Sequence, residues 1–179
     1  HQLWQAFAER TRKRPEASSV RACITRVELW QRLQAERVAA GLLRECAARW
    51  PDSPEMVQAA VRAATAADRW AEVVALQDHA RALEPGLYER HMGWLHALAE
   101  AGDVTRVVAG AAEIDQRFPD RSRGSEVAAQ LLLAEERPGE AKAMLARLPD
   151  HLRRSRALDL LGRVAHRLGQ TAEAVAHWK

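Results

Sequence analysis

Two histidines in the stretch HMGWLH, His91 and His96, are the first candidates for chemistry in this chain. Imidazoles four residues apart on a helix can share a metal ion, but a spacing of five turns the side chains about 140° apart around the helix axis. The pair therefore predicts no metal site. We expect His91 at the edge of the core and His96 in solvent.

Other catalytic patterns are missing from the sequence. It contains no glycine-rich phosphate loop, no HExxH zinc motif and no Gly-x-Ser-x-Gly nucleophile turn. The adjacent like charges Glu135-Glu136 and Arg153-Arg154 are typical of solvated loops and helix ends. We therefore predict no catalytic, cofactor-binding or metal-binding residues. The segment is expected not to be an enzyme, although a catalytic domain elsewhere in a longer protein is compatible with it.

One group of cations has a spacing suited to binding. Arg156, Arg163 and Arg167 are seven and four residues apart, which returns to nearly the same angle around a helix. Guanidinium groups form bidentate pairs with carboxylates, so the row predicts a surface for a partner with acidic groups. Solubilising residues on an exposed helix face would have the same pattern.

Helices must position these residues. About a fifth of the chain is alanine, with Leu, Glu and Arg also abundant and Phe, Tyr and Ile scarce, which favours helix over strand. The hydrophobic share of 47% and the charged share of 28% are ordinary for a globular protein. No apolar run approaches the ~20 residues that span a bilayer. The composition predicts an all-α protein.

Charge is distributed unevenly along the chain. The net charge of +3 divides into +5 over residues 1–50 (ten basic, five acidic), −6 over 51–146 (ten basic, sixteen acidic) and +4 over 147–179 (seven basic, three acidic). Proteins that bind nucleic acids more often have one continuous basic stripe, and the acidic middle would repel phosphate. We expect no nucleic-acid partner.

A period of 34 residues organises the chain. The prolines of Trp50-Pro51, Glu84-Pro85 and Phe118-Pro119 are 34 residues apart both times, and proline cannot continue a helix. Between the prolines, two apolar periodicities at helical spacing are separated by a break. This pattern predicts paired antiparallel helices with turns near the three prolines, and no β-sheet.

These units resemble tetratricopeptide repeats. The C-terminal unit matches the spacing of that family with Leu158, Leu161-Gly162, Ala165, Gly169, Ala174 and Trp178. The unit at 88–121 matches it with His91, Trp94-Leu95, Leu98, Gly102, Val107, Ala111 and Pro119. The resemblance implies a right-handed α-solenoid of antiparallel helical hairpins, in which Trp30, Trp94 and Trp178 are core residues and Trp70 is partly exposed.

The common register divides the chain into repeats near 20–53, 54–87, 88–121, 122–154 and 155–179, the last one incomplete. Residues 1–19 would be the second helix of a preceding repeat. Because each repeat contacts only its neighbours, we interpret residues 1–179 as a single array and as a fragment of a longer protein. Pro149 comes four residues early, so the turn there should depart from the standard one.

In this family, the first helices of successive hairpins line a concave groove that holds a peptide or a partner protein. By register, the groove residues of the last two repeats are Arg123, Glu126, Gln130, Arg156, Asp159, Arg163, His166 and Arg167, all compatible with solvent. The resemblance thus implies a non-catalytic protein–protein interaction scaffold. The chain contains no asparagine, which argues against the family members that capture chaperone tails with asparagine and lysine.

Two alternatives stay open. The array could be the substrate-selecting region of a larger glycosyltransferase or sulfotransferase, or a periplasmic scaffold in polysaccharide export. Residues beyond 179 would distinguish them, and the oligomeric state is left open.

The two cysteines bear on the compartment. Cys23 falls early in the first helix of its hairpin and Cys46 late in the second, so antiparallel pairing should make them neighbours. A disulfide needs Cα atoms within about 7 Å. Disulfides are rare in the cytosol and buried free cysteine is common, so we expect two reduced thiols and a cytoplasmic rather than a periplasmic protein.

Overall fold

A computed structural model describes residues 19–121 and 123–178. Every regular element in these ranges is helical: ten α-helices and one short 3₁₀ helix. The all-α class is confirmed. The predicted helix at 1–19 falls almost wholly outside the described residues. The chain forms two compact units, His1–Leu83 and Glu84–Lys179.

The first unit contains two hairpins. Its helices are α1 (Val20–Arg32), α2 (Glu36–Arg49), α3 (Pro54–Thr65) and α4 (Trp70–Leu83). Ser19 and Ser53 cap α1 and α3, since each side-chain oxygen accepts a hydrogen bond from the backbone N–H three residues on. Consecutive helices pack together, and α1 also packs on α3. Trp30 is half-buried against this core rather than fully enclosed, and Trp70 is half-buried at the start of α4.

Cys23 and Cys46 form a disulfide between α1 and α2, with Cα atoms 6.3 Å apart. The predicted proximity is confirmed, and the expectation of reduced thiols is wrong. The two residues are only 3% and 2% exposed, because an early position of one antiparallel helix faces a late position of the next. Since disulfides persist in oxidising compartments, the expectation of a cytoplasmic protein loses its basis.

The second unit contains three hairpins. Its helices are α5 (Tyr88–Glu100), α6 (Val104–Arg117), α7 (Arg123–Ala134), α8 (Pro138–Ala146), α9 (Ser155–Arg167) and α10 (Thr171–Trp178). Consecutive helices pack together, and the first helices also pack on one another, α5 on α7 and α7 on α9. Trp94 is buried as predicted, and its ring lies against Gly110, where a Cβ would overlap it. After Pro149, the 3₁₀ helix Asp150–Leu152 accounts for the predicted irregular turn.

The turn inside every hairpin has the same backbone conformation. One residue per turn has a φ between 52° and 75°, in the left-handed region: Gln34, Asp68, Gly102, Glu136 and Gly169. In all five turns, the N–H of the next residue donates to the carbonyl five residues earlier, at N–O distances of 2.8 to 3.0 Å. This closure ends a helix and reverses the chain.

The turns between hairpins lie at the predicted prolines. Backbone hydrogen bonds close the chain from Trp50 to Ser53, from Glu84 to Leu87 and from Phe118 to Arg121. The fold is therefore a helical-repeat solenoid of antiparallel hairpins, like that of tetratricopeptide repeats. A single continuous array over 1–179 remains a prediction.

Candidate functional site

The outward side chains of α5, α7 and α9 form one surface of the second unit, which we call the first-helix surface. The packing of α5 on α7 and of α7 on α9 brings these side chains together. All eight residues predicted from register lie on two of these helices. Arg123, Glu126 and Gln130 are on α7, and Arg156, Asp159, Arg163, His166 and Arg167 are on α9.

Seven of these eight residues are exposed, and Glu126 is not. The expectation that every one is compatible with solvent is wrong for Glu126, whose side chain is only 6% exposed. Arg156 contacts this buried carboxylate, with its Nε 3.6 Å from Oε2 of Glu126, and its Nη2 donates to Oε1 of Gln130 at 3.1 Å. These contacts join α7 to α9 across the surface.

His96 adds a titratable group on α5. It is exposed, and His91 is buried with its Nε2 2.9 Å from the carbonyl oxygen of Pro85, so both histidines lie as predicted. Partial desolvation lowers the pKa of His96, and the charges of Arg123 and Arg156 lower it further. The cations of α7 and α9 thus act electrostatically on a residue of α5.

Within the described part of the chain, the arginines at the C-terminal end of α9 have no counter-charge. Across residues 19–121 and 123–178, no carboxylate forms an ion pair with Arg163 or Arg167. Both side chains are exposed, so they are available to an acidic group from outside the chain.

A pocket of about 310 Å³ opens beside these two arginines. Its walls come from α7, α9 and α10. They consist of Gln130, Leu133, Ala134, Arg163, His166, Arg167 and Trp178. Four of the eight predicted residues therefore line one concavity.

Trp178 was predicted to be a core residue and is instead 51% exposed. One edge of its ring lies against Gly162, where a Cβ would overlap the indole. Its centroid is 6.5 Å from that of the His166 ring, at an interplanar angle of 46°. The contact with Gly162 covers only part of the ring, so the rest forms a wall of the pocket.

The position of α10 fixes where Trp178 lies. Its residue Ala174 is buried against α9, and Lys142 on α8 forms an ion pair with Glu173 at 2.9 Å. Lys142 also donates to Oε1 of Gln170, in the turn before α10. The tryptophan is thus held by a short helix anchored on two sides.

A second polar contact links α7, which carries part of the first-helix surface, to α6. The hydroxyl of Ser125, which is fully buried on α7, donates to Oδ2 of Asp115 on α6. Burial raises the pKa of Asp115, and the hydrogen bonds from Ser125 oppose that shift. The pair joins the two helices behind the first-helix surface.

The repeat register predicted the cationic residues of the site but not its apolar residues. Leu133 and Ala134 lie at the end of α7, where helical spacing alone does not distinguish a pocket wall from core. Gly162 was an available signal, because a glycine inside a helix often marks the close approach of a large side chain. Within the described residues, no group of three or more His, Cys, Asp or Glu side chains could hold a metal ion.

No protein-family model matches the chain, and no curated protein does. Two solved structures resemble it over nearly its whole length. PilW, described as a widely conserved type IV pilus biogenesis factor, matches with a TM-score of 0.62 and 20% identity over 97% of this chain and 80% of its own. PilF of Pseudomonas aeruginosa matches with a TM-score of 0.59 and 14% identity over 98% of this chain and 86% of its own.

At such low identity, the likeness establishes the fold alone. Among the residues that the structure describes, no helix is both long and apolar enough to cross a membrane. By its likeness to these structures, the chain is a tetratricopeptide-like repeat protein in fold.

Proposed function

We propose that the chain is a non-catalytic interaction scaffold that binds an extended acidic segment of a partner protein on the first-helix surface. The observation that supports this proposal best is the set of exposed arginines on adjacent helices, Arg123, Arg163 and Arg167, which pair with no carboxylate of the described chain. Guanidinium groups on parallel helices present repeated bidentate donors to carboxylates along a strand.

Electrostatics favours an anionic partner at this surface. The pKa of His96 is lowered first by partial desolvation and further by the nearby charges of Arg123 and Arg156. Like charges held close together repel, so a bound carboxylate would relieve that repulsion as well as form its own hydrogen bonds. Such an interaction would weaken with added salt, because its partners are exposed.

A protein segment fits this surface better than a nucleic acid does. The exposed carboxylate of Asp159 lies among the arginines of α9, and that of Glu100 lies near His96 on α5. A phosphate backbone carries regularly spaced charges and would meet these carboxylates. A peptide can place its acidic residues opposite the arginines alone.

Two observations support a proposal for the compartment and the context. The buried disulfide between Cys23 and Cys46 supports an oxidising compartment, such as a bacterial periplasm. PilW is described as a type IV pilus biogenesis factor, and its likeness in fold supports a scaffold within a larger assembly. The disulfide likewise favours the periplasmic alternative considered from the sequence, a scaffold in polysaccharide export.

Peptide selection tests the proposal. A random peptide library is displayed and selected on the immobilised chain without reductant, and enriched peptides are measured in solution by fluorescence anisotropy. We expect enrichment of peptides containing Asp or Glu. The triple variant Arg123→Gln, Arg163→Gln, Arg167→Gln should weaken their binding about tenfold or more.

The matched control removes the same number of positive charges from the second helices of the hairpins. The exposed residues for this control are Arg37 and Arg44 on α2 and Arg117 on α6, each replaced by Gln. Little change is expected in this control. Equal weakening in both triple variants would indicate general charge attraction, and weakening in neither would place the binding elsewhere; either result contradicts the proposal.

A further inference from the structure

The pocket beside Trp178 has the size of one large side chain. Its volume of about 310 Å³ lies at the lower limit of pockets that hold small ligands, which run from about 300 to 1,000 Å³. An extended backbone crossing the first-helix surface can therefore place one residue in the pocket while its neighbours remain outside.

The walls of the pocket favour an aromatic occupant. Leu133 and Ala134 supply aliphatic surface on α7, and the half-exposed indole of Trp178 supplies aromatic surface. His166 is tilted against this indole and leaves one side of the cavity aromatic. Aromatic side chains gain from offset or edge contacts with such rings, beyond the apolar area that they bury.

The charges beside the pocket favour a carboxylate next to that aromatic side chain. Arg163 and Arg167 are one helical turn apart, line the pocket, and form no ion pair within the described residues. A guanidinium can bind a carboxylate through two parallel hydrogen bonds, and it also stacks on aromatic faces. An aromatic residue and an acidic residue side by side would satisfy both groups.

We propose that this pocket receives an aromatic side chain of the partner segment, while Arg163 and Arg167 bind the side-chain carboxylate of an adjacent Asp or Glu. This inference rests on the proposed function, because it names the part of the acidic segment that the surface recognises. The aromatic residue lies within the segment, so that the chain continues along α7 and α9 towards Arg156 and Arg123.

Short capped peptides test this inference directly. The probe is acetyl-Gly-Phe-Asp-Gly-amide, and two matched probes replace Asp by Asn or Phe by Ala. Binding is followed by NMR at the indole N–H of Trp178, which the variant Trp178→Phe assigns among the six tryptophans. We expect a saturable shift at millimolar probe, with about tenfold weaker binding when either Asp or Phe is replaced.

Two variants separate the parts of the pocket. The double variant Arg163→Gln, Arg167→Gln should abolish the preference for Asp over Asn while Phe still shifts the Trp178 signal. Ala134→Glu places a longer, negative side chain at an exposed position of the wall, so it should abolish the shift without unfolding the chain. Arg44→Gln, far from α9 in sequence and exposed on α2, should leave all three probes unchanged.

Several outcomes would overturn the inference. These are no saturable shift, equal binding of the Asp and Asn probes, tighter binding of acetyl-phenylalanine with a free terminal carboxylate, or tighter binding of a short oligothymidylate that competes at Trp178. The proposed function fails separately, if no displayed peptide is enriched or if enriched peptides ignore the arginine substitutions. Enriched acidic peptides that depend on Arg123 but are indifferent to Ala134→Glu would overturn this inference alone.

Discussion

The guanidinium of Arg156 on α9 lies beside the buried carboxylate of Glu126 on α7, with Nε and Oε2 3.6 Å apart. Arg156 is 53% exposed and Glu126 only 6%, so the pair is half in solvent and half in the protein. An arginine that looks like a free surface charge in the sequence is thus part of the packing between two hairpins. This relationship separates Arg156 from the other arginines of α9.

Replacing Arg156 should therefore cost stability, whereas replacing Arg163 should not. Arg156→Ala removes the cation 3.6 Å from the buried Glu126 carboxylate and the hydrogen bond to Gln130, and we expect a loss of about 1–2 kcal/mol after allowing for the exposure of the arginine. Arg163→Ala should change stability by about 0.5 kcal/mol or less, as exposed substitutions do. Urea unfolding measures both. Equal effects would contradict a structural role for Arg156.

Gly162 should tolerate no side chain, because the indole of Trp178 occupies the space of its Cβ. Gly162→Ala is expected to destabilise the chain by about 1–3 kcal/mol through overpacking. Gly139→Ala is the control, since a Cβ at that helical position meets nothing within 4 Å. The second substitution Trp178→Ala should remove most of the cost of Gly162→Ala. An additive double variant would show that the contact is not the cause.

The turn residue Glu136 should be improved by glycine. Its φ of 56° lies in the left-handed region, which costs an L-residue roughly 1–2 kcal/mol and costs glycine little. After the larger entropy of glycine in the unfolded chain is subtracted, Glu136→Gly should stabilise by about 0.5–1 kcal/mol. Glu135→Gly removes the same charge one residue earlier, where φ is not positive, and should destabilise. Thermal melts measure both variants. A change of the melting temperature in the same direction for both would contradict the role given to the left-handed φ of Glu136.

The disulfide between Cys23 and Cys46 should stabilise the first unit. The cysteines are 23 residues apart, and closing a loop of that size in the unfolded chain contributes about 3 kcal/mol. The double variant Cys23→Ser, Cys46→Ser should lose about that much, plus the cost of burying two hydroxyls. Thiol titration of the unfolded chain without reductant is expected to find no free thiol. Two titratable thiols in the protein secreted to an oxidising compartment would contradict the bond.

The lowered pKa of His96 predicts a dependence of stability on pH. Below the ordinary pKa of histidine, about 6.5, the unfolded chain takes up a proton that the folded chain resists. The contribution of His96 to stability is therefore present at neutral pH and is lost as pH falls through that value. His96→Gln should remove this part of the acid sensitivity, as seen by denaturant unfolding between about pH 7 and pH 5. If the variant loses as much stability at low pH as the original chain does, the acid sensitivity comes from other groups.

The sequence predicted the backbone better than the site. Prolines and apolar periodicity act locally, so the turns near Pro51, Pro85 and Pro119 and the all-helical class could be predicted without any tertiary information. Register also predicted which residues lie on the first helices. It could not predict that Glu126 is covered, because the covering guanidinium of Arg156 comes from a helix 30 residues further along the chain.

Tertiary contacts account for the remaining differences. Trp178 occupies the repeat position that packs against Gly162. That position does not determine whether the rest of the indole is buried or exposed. The proximity of Cys23 and Cys46 followed from helix pairing, whereas their oxidation depends on the compartment as well as on geometry. Composition alone carries no information about the compartment here.

The five hairpin turns keep one backbone conformation with four different types of residue. Glutamine, aspartate, glutamate and glycine occupy the same left-handed position, closed each time by the same backbone hydrogen bond. Because main-chain hydrogen bonds hold this conformation, several residue types are compatible with it. The sequences of the repeats can therefore diverge from one another and from those of distant relatives while the turn is kept. Backbone hydrogen bonds thus preserve the shape of each hairpin whatever residue stands in the turn. The variable turn residue is therefore a suitable position for attaching a probe or for exchanging one hairpin for another.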